Sequence, residues 1–138
     1  QTTARQPVTS LPGYGAPPTR HFTGFIEVDP ATKSHLFWYL VEATGDPSVA
    51  PLVWWMNGGP GASSFAGLLG ENGPLILNGS GYLVDNPYSW HSQANMLYVE
   101  FGPGIGYSYC ANSSSVSTEC TQDRSDCSPC AASDASVA

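Results

Sequence analysis

Basic side chains are scarce in this sequence of 138 residues. Arg5, Arg20, Lys33 and Arg124 are its four fixed cations, against 11 acidic residues, so the formal net charge is -7. Proteins that bind nucleic acid or anionic lipid use basic patches to attract phosphate groups. The composition therefore argues against nucleic-acid and membrane partners.

Long apolar runs are also absent. The longest run extends over residues 51–56, whereas a helix that crosses a bilayer needs about 20 mostly apolar residues. No transmembrane helix is predicted. A hydrophobic fraction of 41%, with 12% aromatic residues, is typical of one globular domain or part of one.

Cysteine is missing from the first 109 residues, and Cys110, Cys120, Cys127 and Cys130 all lie in a polar stretch. An even count in such a stretch predicts disulfides and an oxidising compartment, with the pairing left open. The C-x-x-C at residues 127–130 has no second pair and no nearby histidine. Neither a metal site nor a redox motif is therefore predicted.

Two glycosylation sequons support the same compartment. Asn78-Gly79-Ser80 and Asn112-Ser113-Ser114 both lie among turn-forming residues, where a glycan would be exposed. Together with the cysteines, these candidate sites predict a protein of the secretory pathway, either vacuolar or lysosomal, or extracellular.

Local patterns predict an α/β protein with a mixed sheet. Residues 1–20 are rich in proline and glycine and should form an extended arm. Residues 21–28 and 35–42, rich in aromatic and β-branched residues around a polar turn, predict an antiparallel hairpin. Residues 52–56 predict a strand that is covered on both faces.

The second half of the pattern predicts a crossover connection. Asn57 and the glycines after it end the strand at 52–56, and residues 62–69 can form a short helix that Asn72-Gly73-Pro74 stops. Residues 94–101 read as a further buried strand, followed by a glycine loop. A strand, a glycine turn, a helix and a second strand indicate a sheet with a helical crossover.

The sequence resembles the serine carboxypeptidase family in several motifs, in the same order and spacing. These are WWMNGGPGASS at residues 54–64, ENGP at 71–74, NPYSW at 86–90, ANMLYVE at 94–100 and GIGYSY at 104–109. The resemblance implies the α/β-hydrolase fold, of which this chain holds the N-terminal part. Residues 1–20 would be an arm, residues 21–109 the N-terminal half of the catalytic domain, and residues 110–138 a Cys-rich loop with the start of a truncated helix.

The glycine cluster is the first candidate site that the resemblance implies. A Gly-Gly step at a strand end lets a substrate approach the backbone, and an amide N–H there can stabilise a developing oxyanion. By resemblance, Gly59 supplies one N–H of an oxyanion hole, and Gly58 adjoins it. The other N–H follows the nucleophile, which the sequence does not contain.

Asn57 and Glu71 match the positions at which this family binds the free C-terminal carboxylate of a peptide. Asn57 can donate an amide N–H at any pH, whereas Glu71 can donate only when it is protonated. A substrate carboxylate would favour that protonated form by like-charge repulsion. Binding should therefore be best at acid pH.

The sequence contains no complete Ser-Asp-His triad. The segment from Gly106 to Cys110 is nearest to a G-x-S-x-G elbow around Ser108, but its last glycine is missing. Ser63 and Ser64 belong to the start of the predicted helix, and the three histidines have no serine and acid at recognisable spacing. Ala62 departs from the family, which commonly has a cysteine there.

The resulting prediction is part of a serine-type carboxypeptidase that releases C-terminal residues from peptides or proteins through an acyl-enzyme. It needs no cofactor, and the segment alone should be inactive and fold poorly, since strands of the buried type would lack their cover. A carboxypeptidase-like acyltransferase or lyase is the alternative enzyme. A secreted, non-catalytic protein that binds peptide carboxylates is the alternative of another class.

Overall fold

Most strands of the computed structural model, which describes residues 4–30, 33–59 and 61–110, belong to one mixed sheet. The strands are β1 (Gln6–Val8), β2 (His21–Asp29), β3 (Ser34–Val41), β4 (Leu52–Trp55), β5 (Leu75–Leu77), β6 (Leu83–Asp85), β7 (Asn95–Val99) and β8 (Tyr109–Cys110). Helix α1 (Phe65–Gly70) follows β4, and a 3-10 helix (Trp90–Ser92) precedes β7. The sheet has the order β1-β2-β3-β7-β4, and β8 pairs with β3.

The predicted hairpin is confirmed. Strands β2 and β3 pair antiparallel from His21 with Val41 to Asp29 with Ser34, with an irregularity in register near Glu27. The aromatic and β-branched residues of both strands suit a pleated, half-buried surface. Part of the predicted N-terminal arm extends the sheet, because β1 pairs antiparallel with β2.

The predicted crossover is confirmed as well. Strand β4 pairs parallel to β7, with Leu52 opposite Asn95 and Trp55 opposite Tyr98. Parallel strands need a long connection, and here it contains α1, the β5-β6 hairpin and the 3-10 helix. The carboxyl ends of β4 and β7 consequently lie at the same edge of the sheet.

Helix α1 begins at Phe65, three residues after the predicted start at 62. The reason is that the hydroxyls of Ser63 and Ser64 form hydrogen bonds at the entrance to the helix. The hydroxyl of Ser63 accepts from the backbone N–H of Phe65 at 3.1 Å, and that of Ser64 donates to the carbonyl of Val99. Such bonds favour helix starts over helix interiors.

The β5-β6 hairpin was not predicted. Its strands are short, and they pair antiparallel from Leu75 with Asp85 to Leu77 with Leu83. The available signal was Asn78-Gly79 between two short apolar segments, which is a common hairpin turn.

The core lies against β3 and β7. Its buried residues are Tyr39, Val41, Leu68, Ala94, Met96 and Tyr98. The prediction that β4 is covered on both faces is wrong for the described residues, since Leu52 is 61% exposed and Trp54 is 57% exposed. Exposed Leu52 and Trp54 alternate with the less exposed Val53 and Trp55, so the described residues cover one face of β4 and leave the other open. None of the helices in the described ranges is long and apolar enough to span a membrane.

His21 lies in this buried region, where only 2% of its surface is exposed. Its Nδ1 atom is 2.9 Å from the hydroxyl of Tyr39, and the two rings meet edge to face. Burial, and to a smaller extent the nearby His91, lowers the pKa of His21 to about 4. The folded state therefore holds His21 as the neutral imidazole at ordinary pH.

We expect His21 to make the fold sensitive to acid. Its folded-state pKa of about 4 is below the usual 6.5, so the unfolded state binds more protons between these values. The contribution to stability is complete above about pH 6.5 and falls by up to about 1.4 kcal/mol per pH unit as the pH drops toward 4. Urea unfolding of the full-length protein from pH 7 to 4 measures this slope.

The variant His21→Asn is the control, because asparagine can still face the Tyr39 hydroxyl but does not titrate. It should be less stable at pH 7 and show a shallower loss of stability with acid. The remaining slope includes His91, whose pKa burial also lowers. Parallel slopes in the two proteins would contradict the assignment.

Candidate active site

The loop after β4 places its glycines at the carboxyl edge of the sheet. Gly59 has φ +149° and Gly61 has φ +94°, and side chains with a Cβ atom rarely adopt such angles. Gly58 and Gly59 are both exposed to solvent. Their backbone can therefore be approached from outside, as the oxyanion-hole hypothesis requires.

Asn57 fixes the first half of this loop. Its Oδ1 atom accepts from the indole Nε1–H of Trp55 at 2.9 Å and from the backbone N–H of Gly67 at 3.0 Å. These two bonds determine which end of the amide is oxygen and which is nitrogen. The Nδ2 atom is therefore the end of the amide that remains available as a donor.

Glu71 is the partner of that donor. The Nδ2–H of Asn57 donates to Oε1 of Glu71 at 2.9 Å, so the two residues predicted to bind a carboxylate lie together. Glu71 is exposed, and its backbone carbonyl accepts from the side chain of Asn86 at 3.1 Å. The same Asn86 amide donates to Gly73, which ties the end of α1 to the NPYSW turn.

Tyr98 supports this arrangement from inside the sheet. Its hydroxyl donates to Oδ1 of Asn72 at 2.9 Å. Burial, and secondarily the charge of Glu71, raises the pKa of Tyr98. The phenol therefore stays protonated and acts as a donor to the residue that follows Glu71.

Glu100 is a buried residue at this edge that the sequence reasoning missed. It follows β7, only 1% of its surface is exposed, and its carboxylate accepts from the hydroxyl of Ser63 at 2.6 Å. The available signal was an acidic residue directly after an apolar strand and before a glycine loop, a position where a buried charge needs a specific partner.

Ser63, Ser64 and Ser108, for which no nucleophilic role was predicted, form internal hydrogen bonds. Ser63 and Ser64 lie just before α1 and not within it as predicted. The buried Ser108 donates to the carbonyl of Glu100 at 2.7 Å and accepts from the backbone N–H of Phe37 at 2.8 Å. Its hydroxyl therefore links the loop after β7 to strand β3.

The structure does bring one serine and one histidine together, at Ser89 and His91. The Ser89 hydroxyl lies 2.6 Å from Nδ1 of His91 and donates to the carbonyl of Asn72 at 3.1 Å. Because a hydroxyl has one proton, the His91 Nδ1–H is then the donor to Ser89. Both residues are buried, so this pair caps the 3-10 helix and is not arranged as a nucleophile and base.

Of the remaining candidates, Asn78 and Cys110 are among the described residues and belong to other elements. Asn78 is in the turn of the β5-β6 hairpin, where its Oδ1 accepts from the N–H groups of Ser80 and Tyr82. Cys110 is in β8 opposite Ser34. The sequon at Asn112 and the cysteines Cys120, Cys127 and Cys130 are outside the described residues, so glycosylation and disulfide pairing stay predictions.

A cavity of about 340 Å³ lies between β4 and the 3-10 helix. Its lining includes Val53, Pro87, Tyr88, Trp90 and Gln93 and none of the residues predicted to bind substrate. Within the described ranges, no group of three or more His, Cys, Asp and Glu side chains is placed to hold a metal ion.

The mixed sheet, the parallel crossover and the glycine loop at the strand end define the N-terminal part of an α/β-hydrolase fold. The sequence matches the serine carboxypeptidase family over residues 12–128. The chain therefore belongs to the serine carboxypeptidase family.

Individual relatives agree with this assignment. The chain is 41% identical to serine carboxypeptidase 1 of Hordeum vulgare over 118 residues, which are 80% of this chain and 24% of that protein. It is 45% identical to serine carboxypeptidase-like 45 of Arabidopsis thaliana, covering 78% of this chain and 23% of the relative. It is 39% identical to the lysosomal protective protein of Mus musculus, covering 74% and 22%.

A solved structure has the same fold. The prohormone-processing carboxypeptidase KEX1(DELTA)P from Saccharomyces cerevisiae superposes with a TM-score of 0.57 and 30% identity, over 66% of this chain and 21% of the other. The chain spans about a quarter of the length of the curated relatives that it matches.

We expect Asn57→Asp to make the stability of the site depend on pH. Aspartate keeps the acceptor for Trp55 and Gly67 but places a second carboxylate against Glu71. The two charges would repel at neutral pH, at a cost on the order of 1 kcal/mol for this partly exposed pair, and protonation would relieve the repulsion at acid pH. Urea unfolding of the variant and wild type at pH 7 and pH 4 measures the difference.

Asn57→Ala is the matched control, since it removes the acceptor and leaves the N–H of Gly67 without its partner at both pH values. It should lose about 1–3 kcal/mol throughout. A loss in Asn57→Asp that is equal at the two pH values would show that repulsion with Glu71 is not its cause.

Proposed function

We propose that this segment supplies half of an oxyanion hole and the carboxylate-binding pair of a serine-type carboxypeptidase that releases C-terminal residues from peptides or proteins. The observation that carries the proposal is the hydrogen-bonded pair of Asn57 and Glu71 beside the exposed Gly58-Gly59 step. An exopeptidase needs both elements close together, because the carboxylate that it recognises is one residue from the bond that it cleaves.

The glycine loop would act on the developing oxyanion. As a serine attacks the scissile carbonyl, negative charge grows on the carbonyl oxygen, and a fixed N–H is more effective there than mobile water. The backbone N–H of Gly59 is the proposed donor, and Gly58 gives the substrate access to it. The second donor and the Ser-Asp-His triad would come from other parts of a longer polypeptide.

The Asn57–Glu71 pair would orient the substrate. Asn57 has two N–H groups on Nδ2, and its bond to Glu71 uses one of them. The other can donate to a substrate carboxylate. A proton shared between Glu71 and that carboxylate would complete the contact without a cationic side chain. This arrangement supports a preference for acid conditions.

The edge of the sheet supports a larger catalytic domain. Strand β4 has a neighbour on one side only within the described residues, so its other side can pair with a further strand. Leu52, Trp54 and Met56, at alternate positions, are exposed and form an apolar face that further packing would cover. We propose that a longer polypeptide covers it and carries the triad.

A fluorophosphonate probe tests the proposed reaction class. The native protein is labelled, the intact mass of the labelled species is read, and the peptide that contains Asn57 to Gly61 is identified within it. Labelling of a species well above 14.6 kDa is the expected result. An unlabelled species of about that mass would favour the non-catalytic carboxylate-binding protein.

The labelled protein then separates hydrolase from acyltransferase or lyase. A carboxypeptidase should release the terminal residue of a peptide with a free carboxylate and act poorly on the same peptide amide. Labelling without such release would favour the alternative enzymes. The tryptic peptide that ends at Arg124 contains both sequons, and the mass that it loses on removal of N-glycans tests a secretory route.

The variant Glu71→Gln tests the proton in the carboxylate contact. Glutamine donates at every pH, so the KM for the free peptide should change little between pH 4.5 and 7. In the wild type, KM should rise by up to about tenfold per pH unit once the shared proton is lost. KM is measured for both proteins across this pH range. An equal rise of KM with pH in the two proteins would refute a donor role for Glu71.

A further inference from the structure

Glu100 is a carboxylate buried without a cation. It is 1% exposed, and the ion pairs in the described part of the chain join Arg20 to Glu42 and His35 to Glu27. A buried carboxyl group is unfavourable unless fixed hydrogen-bond partners replace its hydration. The residues that donate to this carboxylate are therefore the ones that it can hold in position.

Two donors to the Glu100 carboxylate come from the end of the loop between β4 and α1. The hydroxyl of Ser63 donates to Oε1 of Glu100 at 2.6 Å, and the backbone N–H of Ser64 donates to Oε2 at 3.1 Å. The Ser64 hydroxyl donates to the carbonyl of Val99 at 2.5 Å. The last residues before α1 are thus tied to the carboxyl end of β7 by three bonds.

The backbone of Glu100 is fixed in turn. Its N–H donates to the carbonyl of Phe37 at 3.0 Å, and its carbonyl accepts from Ser108. On the other side of the carboxylate, Gly106 leaves the space that the carboxylate needs. A Cβ atom on Gly106 would collide with the Glu100 carboxyl group, and its φ of +52° also favours glycine.

We propose that Glu100 is a positioning residue for the loop from Asn57 to Ser64, acting through Ser63 and Ser64 on the direction of the Gly59 N–H. Asn57 anchors the start of the loop to Trp55 and α1, and Glu100 anchors its end to β7. The glycines between these anchors have no side chains to fix them. The amide directions therefore depend on both anchors. The catalytic part of this inference rests on the proposed function.

A simpler role for Glu100 is to stabilise the start of α1, as acidic groups often do. The two roles differ in what a substitution changes. Loss of helix stability alone would lower the amount of folded enzyme. Displacement of the loop after β4 would weaken stabilisation of the transition state in molecules that remain folded. It would therefore lower kcat more than it changes KM.

Glu100→Gln in the full-length protein is the main test. Glutamine has nearly the same shape but offers one acceptor oxygen in place of two, so either Ser63 or Ser64 loses its acceptor. We expect kcat for a free peptide to fall at least about tenfold with KM changed less than about threefold. Affinity for a peptide boronate, which mimics the tetrahedral intermediate, should fall in parallel with kcat, while affinity for the product peptide should not.

His21→Asn is the matched control. It changes a buried polar contact, the one with the Tyr39 hydroxyl, and leaves Glu100 and its donors untouched. It should lower stability and keep kcat within about threefold of wild type. If Glu100→Gln fails to fold, Ser63→Ala serves in its place. It removes the donor to Oε1 together with the acceptor for the Phe65 N–H, and a smaller loss of kcat in the same direction is expected.

Backbone amide exchange gives a readout that does not require activity. The amides of Asn57 and Ser64 donate to the Ser64 hydroxyl and to Oε2 of Glu100. In Glu100→Gln they should exchange with solvent at least about tenfold faster than in wild type, and in His21→Asn they should not. Unchanged exchange and unchanged kcat in folded Glu100→Gln would overturn the inference. A wild type that neither labels nor cleaves peptides would overturn the proposed function, and the exchange result would still decide the role of Glu100.

Discussion

The parallel pairing of β4 with β7 is the constraint on which the candidate site depends. Because Trp55 pairs opposite Tyr98, the loop that leaves β4 and the residue that ends β7 emerge side by side. Ser64 can then donate to the carbonyl of Val99 and to the carboxylate of Glu100. An antiparallel pairing would send these two ends to opposite edges of the sheet.

The sequence predicted the structure best at positions where the fold and the proposed chemistry require the same type of residue. The glycines after β4 mark both a sharp turn and an accessible backbone, so the motif predicted the loop and its proposed role together. Asn57 and Glu71 are 14 positions apart, and their contact at 2.9 Å could be expected only from the family resemblance. No local pattern relates a residue at a strand end to one after a short helix.

Other features depend on long-range packing and could not be predicted in this way. The burial of Glu100 requires the space beside Gly106 and the donors on Ser63 and Ser64, which lie 37 and 36 residues away in the chain. The exposure of Trp54 is the opposite case. An apolar run of β-type residues indicates a strand that will be buried, but it does not indicate whether its cover lies within the same segment.

The distribution of charge explains why neutral donors and bound protons would matter at this site. Of the cations in the described residues, Arg5 lies over the ring of Phe22 and Arg20 pairs with Glu42, while Lys33 is in the turn between β2 and β3. None of these is bonded to the loop after β4, and the chain as a whole has a net charge of -7. An anionic ligand at this loop would therefore meet backbone N–H groups, the amide of Asn57 and the carboxyl of Glu71. Of these groups, only a carboxyl can serve as either an acceptor or a donor, so under the proposed function a proton held on Glu71 would let this loop bind a carboxylate without a cation.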